Sequence, residues 1–294
     1  MKLFTDQKEP LFGRADIRIH LKPFETTVLK EILTDNFTTW TNDDLLALFT
    51  ITGGVARYVE IAVQGQNSTV FSIEDLYKTV ISESSFFIDE GNALLISEFG
   101  KQYKVYYSIL SCIARGVNAQ NEIQQMMGET SIGGYLKHLV EKYEVISKLH
   151  PIHSGSQTKK VKYRITNPFL NFWFRYIDRY RSTIEIGNYE ALMNHALGEY
   201  KVYSGIWLEA YFRQKLAEQK NFTQIGQWWN NQDGQDEIDI VAENEFRKKV
   251  LFAEVKRNPK KFQREKFQSK VDGVKIKYYR DYEVCMSVLS LEDM

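Results

Sequence analysis

Residues Gln235–Arg257 spell Q-D-E-I-D-I-V-A-E-N-E-F-R-K-K-V-L-F-A-E-V-K-R, and their alternation sets the reading of the C-terminal part of the chain. Ile238, Ile240 and Ala242 alternate with Asp239 and Val241; Leu251, Ala253 and Val255 alternate with Phe252, Glu254 and Lys256. Two short runs of period two, joined by a polar stretch, are the pattern of a β-hairpin. With the turn centred between Phe246 and Arg247, Asp239 falls opposite Glu254 and Glu237 opposite Lys256. Side chains on one strand face recur every second residue. The pattern therefore predicts one face with carboxylates and a lysine, and an opposite face that is apolar.

Neighbouring carboxylates repel unless a cation or a proton joins them. Asp239 and Glu254 are thus candidate metal ligands, with the main-chain carbonyl of Val255 as a third. Lys256 is placed to orient or deprotonate water, or to balance phosphate charge. Glu209, on the preceding helix, is the candidate to complete the shell, and Glu237 the candidate to hold Lys256 as an ion pair. One or two Mg²⁺ (or Mn²⁺) ions on such carboxylates supply much of what phosphodiester hydrolysis needs. The bland alternative is a solvated strand face whose cross-strand ion pairs are worth under about 1 kcal/mol each.

A chain of 294 residues has room for two or three domains, and 43% hydrophobic with 26% charged residues fits an ordinary soluble protein. No apolar run is long enough to span a bilayer, and M-K-L-F-T-D-Q-K-E-P lacks a signal-peptide core. Cys112 and Cys285, far apart among apolar neighbours, are expected as reduced, buried thiols in a cytoplasmic protein. The net charge of zero hides an asymmetry: residues 1–100 carry 8 Lys/Arg against 15 Asp/Glu, whereas residues 246–280 carry 13 against 3. A basic back half points to double-stranded DNA as a partner, although lysine-rich faces are often only solvated.

The fold expected is α+β and multidomain. Residues 1–97 open with a strand through Ile17, Ile19 and Leu21, followed by helices at Phe24–Leu33, Thr41–Thr52, Val55–Val63 and Ser72–Glu83, with a new segment starting at Gly91. Residues 98–187 hold helices at Lys101–Arg115 and Asn118–Met127, a third capped by Thr130-Ser131, then strands at Glu144–His150 and Lys160–Ile165. Three helices and a β-hairpin are the order of a winged helix-turn-helix, with Ser154, Gly155, Lys159 and Lys160 at the tip of the wing. A partner-binding or dimerisation domain of the same fold is the competing reading. The aromatic run T-N-P-F-L-N-F-W-F-R-Y is more often core packing than a stacking platform for bases. Residues 188–294 give a helix at Glu199–Gln219, a strand at Thr223–Trp229, the hairpin, a basic helix at Phe262–Val271, and strands at Val274–Tyr279 and Tyr282–Leu289. Lys137, Lys159, Lys160, Lys260, Lys261 and Arg264 are the expected DNA contacts.

D-E-I-D-I-V followed by F-A-E-V-K-R, between helices, resembles the PD-(D/E)XK nuclease-like superfamily. More of the chain carries a second resemblance: G-R-A-D-I-R-I-H-L-K-P-F, G-G-V-A-R-Y-V-E, Y-K-V-Y-Y-S-I-L-S-C-I-A-R-G and Y-R-I-T-N-P-F-L-N-F-W-F-R-Y precede the hairpin in the order of archaeal-type AAA+/STAND-like ATPases. The resemblance implies a P-loop ATPase module, a helical lid, a winged helix and a C-terminal nuclease-like domain. No G-x-x-x-x-G-K-[ST] occurs, so residues 1–97 read as a remnant of the ATPase module with its lid, and no ATP is expected to bind this chain alone. Arg14 matches a position that in such ATPases senses nucleotide, and Ala56 stands where relatives often carry proline. The leading expectation is a Mg²⁺-dependent DNA endonuclease-like protein. The alternative is a non-catalytic regulatory or adaptor protein that binds DNA or a partner ATPase; a homo-oligomer is the other expected assembly.

Overall fold

A computed structural model describes Arg14 and residues 21–66, 68–128, 131–155, 161–230 and 237–294. The strand expected through Ile17 and Ile19, Thr130, and Lys159 and Lys160 lie outside these residues; Ser131 is described but does not cap the helix that starts at Gly133, whose N-cap is Ile132 with no side-chain bond. The described part is a mixed α+β structure. Four helices come first: α1 (Thr26–Asn36), α2 (Asn42–Thr52), α3 (Ala56–Gln64) and α4 (Ile73–Val80). Helix α2 starts where Thr41 and Asp44 form a reciprocal capping box, and stops at Gly53 in the left-handed region (φ 59°). Its interior is buried nearly all round, so it is the central post of the front half.

The expected break at Gly91 is absent, because helix α5 runs from Phe86 to Phe99 without interruption. Gly91 serves packing instead: a Cβ there would overlap the indole of Trp173, whose Nε1 donates to Ile88 O at 2.8 Å. After α6 (Tyr103–Ala114), α7 (Gln120–Met127) and α8 (Gly133–Glu141), strands β1 (Ile146–Leu149) and β2 (Lys162–Ile165) pair antiparallel, with Ser147 opposite Arg164. The aromatic run divides into α9 (Pro168–Phe172) and a π-helical stretch, Trp173–Asp178. Phe169, Phe172, Trp173, Phe174 and Tyr176 are all core residues, so they stack on neighbouring helices rather than on bases. One continuous apolar cluster runs from Leu29 to Met294, through α2, α6, α9 and the sheet.

A short helix α10 (Arg181–Glu185) leads into α11, a 30-residue helix over Tyr189–Glu218. Then follow β3 (Gln224–Trp229), β4 (Glu237–Asn244), β5 (Lys249–Val255), helix α12 (Arg264–Tyr278) and β6 (Glu283–Leu289). The sheet order is β3-β4-β5-β6; β3, β4 and β5 are antiparallel neighbours and β6 lies parallel to β5, with α12 as the crossover. The strand expected at Val274–Tyr279 is helix: Phe267, Val271 and Val274 recur at helical spacing and bury one side of α12. The alternation in V-K-I-K-Y-Y there belongs to a helix with a narrow apolar stripe. Cys112 is buried as expected, but Cys285 is exposed, because β6 is the sheet's edge strand.

Gly91→Ala is expected to destabilise the protein by about 1–3 kcal/mol in urea melts, the usual range for overpacking a core. Gly198→Ala, in α11 with nothing within 4 Å of a new Cβ, is expected to stabilise it by roughly 0.5–1 kcal/mol. Equal effects at the two positions would contradict the packing assigned to Gly91.

Candidate functional site

Strands β4 and β5 pair from Asn244↔Lys249 to Ile240↔Ala253, the register that a turn centred between Phe246 and Arg247 requires. Asp239 and Glu254 are the next residues in that register, where the ladder ends. The expectation of one polar face and one apolar face is corrected. Val241, Val250 and Phe252 pack with Phe267, Val271 and Val274 of α12, whereas Ile240, Ala242, Ala253 and Val255 belong to the main cluster with Trp207 and Leu208 of α11. Both faces are apolar because each is covered by a helix, so charged side chains collect at the ladder's end.

A bulge in β4 creates that end. Gly226 of β3 faces Val241 while Trp228 faces Ile238, so Asp239 and Ile240 together oppose the single residue Gln227. Such an extra residue breaks the ladder and re-aims a side chain. Ile238 and Val241 consequently share one core cluster despite their odd spacing. Asp239 takes over a ladder role with its side chain: the Val255 N–H donates to Asp239 Oδ2 at 2.8 Å.

Four of the candidate residues meet here. Lys256 Nζ lies 2.8 Å from Glu254 Oε1 and 3.8 Å from Asp239 Oδ2, and the two carboxylate side chains are only 14% and 15% exposed. Glu209 of α11 accepts from Gln227 Nε2 at 3.2 Å and from Arg213 Nη1 at 3.4 Å; that guanidinium also donates to the Asp239 carbonyl at 3.1 Å. Glu254 Oε2 is buried, and among the described residues no group hydrogen-bonds it. Burial, then repulsion from Glu209, pushes the Asp239 carboxyl up to about 6, against the lowering effect of the Val255 amide. Burial works against the Lys256 ammonium, but its hydrogen bond to Glu254 and the Asp239 charge outweigh that and raise it. Burial lowers Arg213, offset by Glu209, and Arg164 repels it.

Several other expected roles change. Glu237 does not hold Lys256; its Oε2 lies 4.0 Å from Lys162 Nζ. Arg257, read as part of a basic surround, is committed to structure, with Nη2 2.7 Å from Asp43 Oδ2 and Nη1 2.6 Å from Ser204 Oγ. Lys260, Lys261 and Arg264 are exposed beyond β5. Lys137 is exposed on α8, 3.8 Å from Glu141, and the Val255 N–H is bonded to Asp239. Gln227 and Arg213 join the cluster unannounced. Arg213 follows Glu209 at i+4, a spacing that makes helical neighbours, whereas Gln227 is brought in only by the bulge.

Among the described residues, no group of three or more His, Cys, Asp or Glu side chains lies in position to hold a metal ion. A site of two carboxylates is still compatible with Mg²⁺, which keeps several waters and often takes one or two carboxylates.

Residues 173–268 match the DUF234 family model, described as archaeal and bacterial proteins of unknown function. That span contains Glu209, Arg213, Gln227, Asp239, Glu254 and Lys256. The uncharacterized protein MJECL04 of Methanocaldococcus jannaschii is 30% identical over 258 residues, which cover 85% of this chain and 55% of the relative. The chain thus spans about half the length of the curated relative it matches. No solved structure matches it. Among the described residues, no helix is long and apolar enough to cross a membrane.

The folded chain holds the Asp239 proton more tightly than the unfolded chain does, between the ordinary value of 3.8 and about 6. In EDTA, stability should therefore fall as pH rises through that window, by at most about 3 kcal/mol. Asp239→Asn removes this slope and leaves the variant relatively more stable at pH 7.5 than at pH 4. Thermal melts of both proteins across the window decide it; parallel pH profiles would contradict the assignment.

Proposed function

We propose that this chain is a metal-dependent phosphodiesterase of the nuclease-like kind, acting on DNA, with Asp239 and Glu254 as carboxylate ligands for Mg²⁺ or Mn²⁺. The reading is carried by the meeting of Asp239, Glu254 and Lys256 at the ladder's end, with one buried glutamate oxygen unpartnered among the described residues. The order α11, β3, β4, β5, α12, β6 supports it by analogy, since the PD-(D/E)XK superfamily builds its site on a helix followed by such strands. When bound, a divalent ion there supplies a Lewis acid and a water of lowered pKa. Lys256 is raised in the metal-free site, first by its hydrogen bond to Glu254, and is proposed to donate to a phosphate oxygen or to orient the attacking water. Glu209 and Gln227 position the polar floor, and Arg213 fixes the Asp239 backbone.

The three helices α6–α8 and the β1–β2 hairpin keep the order of a winged helix-turn-helix and are proposed to bring DNA to the site. The hairpin is not free-standing: Ile152 N donates to Gln227 O at 2.8 Å, and His153 Nε2 lies 2.9 Å from both Glu243 Oε2 and Tyr279 OH. The helices before α5 are proposed as the lid-like part through which a partner ATPase or a second copy engages. One observation favours the adaptor alternative: Lys256 is already paired with Glu254 at 2.8 Å, as in an inert ion pair.

Calorimetric titration with Ca²⁺ or Mn²⁺ separates the two readings. Binding that is lost in Asp239→Ala and in Glu254→Ala is the expected result, and no binding at millimolar metal would leave the adaptor. In the supercoiled-plasmid assay with Mg²⁺, Lys256→Ala is expected to lower the cleavage rate about hundredfold or more. Equal rates would assign the cleavage to a contaminant.

A further inference from the structure

Beside the carboxylate cluster stands a group of cations that the reading above does not use. On β2, Tyr163 and Ile165 are buried, so Lys162 and Arg164 share the opposite side of the strand, both half-buried. The docked hairpin turns that side toward the site. Lys162 Nζ lies 5.1 Å from the Trp229 ring centroid and 4.0 Å from Glu237, too far for a strong hydrogen bond. Arg164 is close enough to repel the buried Arg213, and among the described residues no carboxylate pairs with it.

Like charges that act on one another raise each other's energy unless an anion comes between or beside them. Lys162, Arg164, Arg213, Lys256 and Lys270, whose Nζ donates to Glu237 O at 3.0 Å, stand among four carboxylates, Glu209, Glu237, Asp239 and Glu254. The set is formally +1, and a divalent ion would leave it at +3. A phosphate backbone would then meet a more positive wall beside the metal than it meets without the ion. The hairpin's cations lie on a different segment from the ligands, which suits contacts to phosphates flanking the reacting one.

Resting on the function proposed above, we propose that Lys162 and Arg164 form the subsite that grips the DNA phosphates next to the scissile one, and that this grip tightens when the divalent ion binds.

The test measures binding of a short DNA duplex by fluorescence anisotropy across a salt series, in Ca²⁺ and in EDTA, with Ca²⁺ affinity followed by calorimetry. The wild type is expected to bind duplex more tightly in Ca²⁺. The double variant Lys162→Gln/Arg164→Gln is expected to lose about tenfold or more of the Ca²⁺-dependent affinity, and its salt slope to fall by about 2, close to one per lost phosphate contact. Its Ca²⁺ affinity in the absence of DNA should be unchanged or slightly higher, which also reports that the site is folded. Arg164→Lys, which keeps the charge, should retain most of the binding, and Lys260→Gln/Lys261→Gln should leave the Ca²⁺ effect intact. Wild-type affinity and slope in the double variant, with Ca²⁺ binding still abolished by Asp239→Ala, would overturn the subsite and leave the proposed function standing. Loss of Ca²⁺ binding in the double variant would make the two residues builders of the metal site, which also overturns the inference. A wild type that takes up neither Ca²⁺ nor DNA would remove both.

Discussion

A sheet covered by a helix on each face has no place along its surface for an unpaired charge. Here α11 closes one side and α12 the other, and every interior position of β4 and β5 up to the end of their pairing is taken by apolar groups or by a satisfied Glu243. Charge is confined to the ladder's end, and the bulge at Asp239 and Ile240 decides where that end falls. One extra residue in β4 does three things. It brings Gln227 opposite Asp239, turns the Asp239 carboxylate onto the Val255 amide, and lets Glu209 and Arg213 of α11 approach. A regular β4 would carry the ladder on and leave no gap for the cluster.

The strand that carries Glu254 and Lys256 is held in place by parts of the chain distant in sequence. Arg257, the next residue, donates to Asp43 of α2 and to Ser204 of α11 and lies 5.1 Å from the Tyr200 ring centroid; Tyr200 OH in turn donates to Asp43 at 2.7 Å. The tail after β6 is fixed the same way, with Asn42 Nδ2 donating to Leu291 O at 2.7 Å and Lys215 Nζ to Asp293 O at 2.6 Å. Charge-assisted bonds of this kind are stronger than neutral ones. Removing one partner of such a half-buried pair strands the other, at a cost of several kcal/mol. The front helices are therefore part of what positions the site strand, and the apolar core is continuous with them.

What could be read from the sequence was whatever depended on neighbours along the chain. The helical stretches from Thr41 and from Ser72 and the hairpin turn near Phe246 are local signals, and the helices, the hairpin and its register follow from them. The meeting of Glu254 with Lys256 needed only the period of two. What stayed hidden depended on packing. Nothing near Gly91 announces Trp173, more than eighty residues later, so a buried glycine looks like a break. Nothing in D-E-I-D-I-V announces the bulge, because its cause lies in β3 and α11. Arg257 looked like one more cation in a basic stretch because its partner, Asp43, lies on another helix. The polar face of the hairpin failed for the same reason: α12 covers it, and a strand cannot report what packs upon it.

The weight of the proposed site rests on what the cluster lacks rather than on its charges alone. In a purely structural network each buried carboxylate oxygen finds a donor, because leaving one unmet costs about 1–3 kcal/mol. Among the described residues, Asp239 has one good donor and a neighbour, Glu209, that repels it; Glu254 has Lys256 on one oxygen and no donor on the other. Lys256 cannot satisfy both acids at close range, being 2.8 Å from one and 3.8 Å from the other. Shifting it toward Asp239 would only transfer the deficit to Glu254. A second lysine would repel the first, whereas one small divalent ion would answer both carboxylates at once.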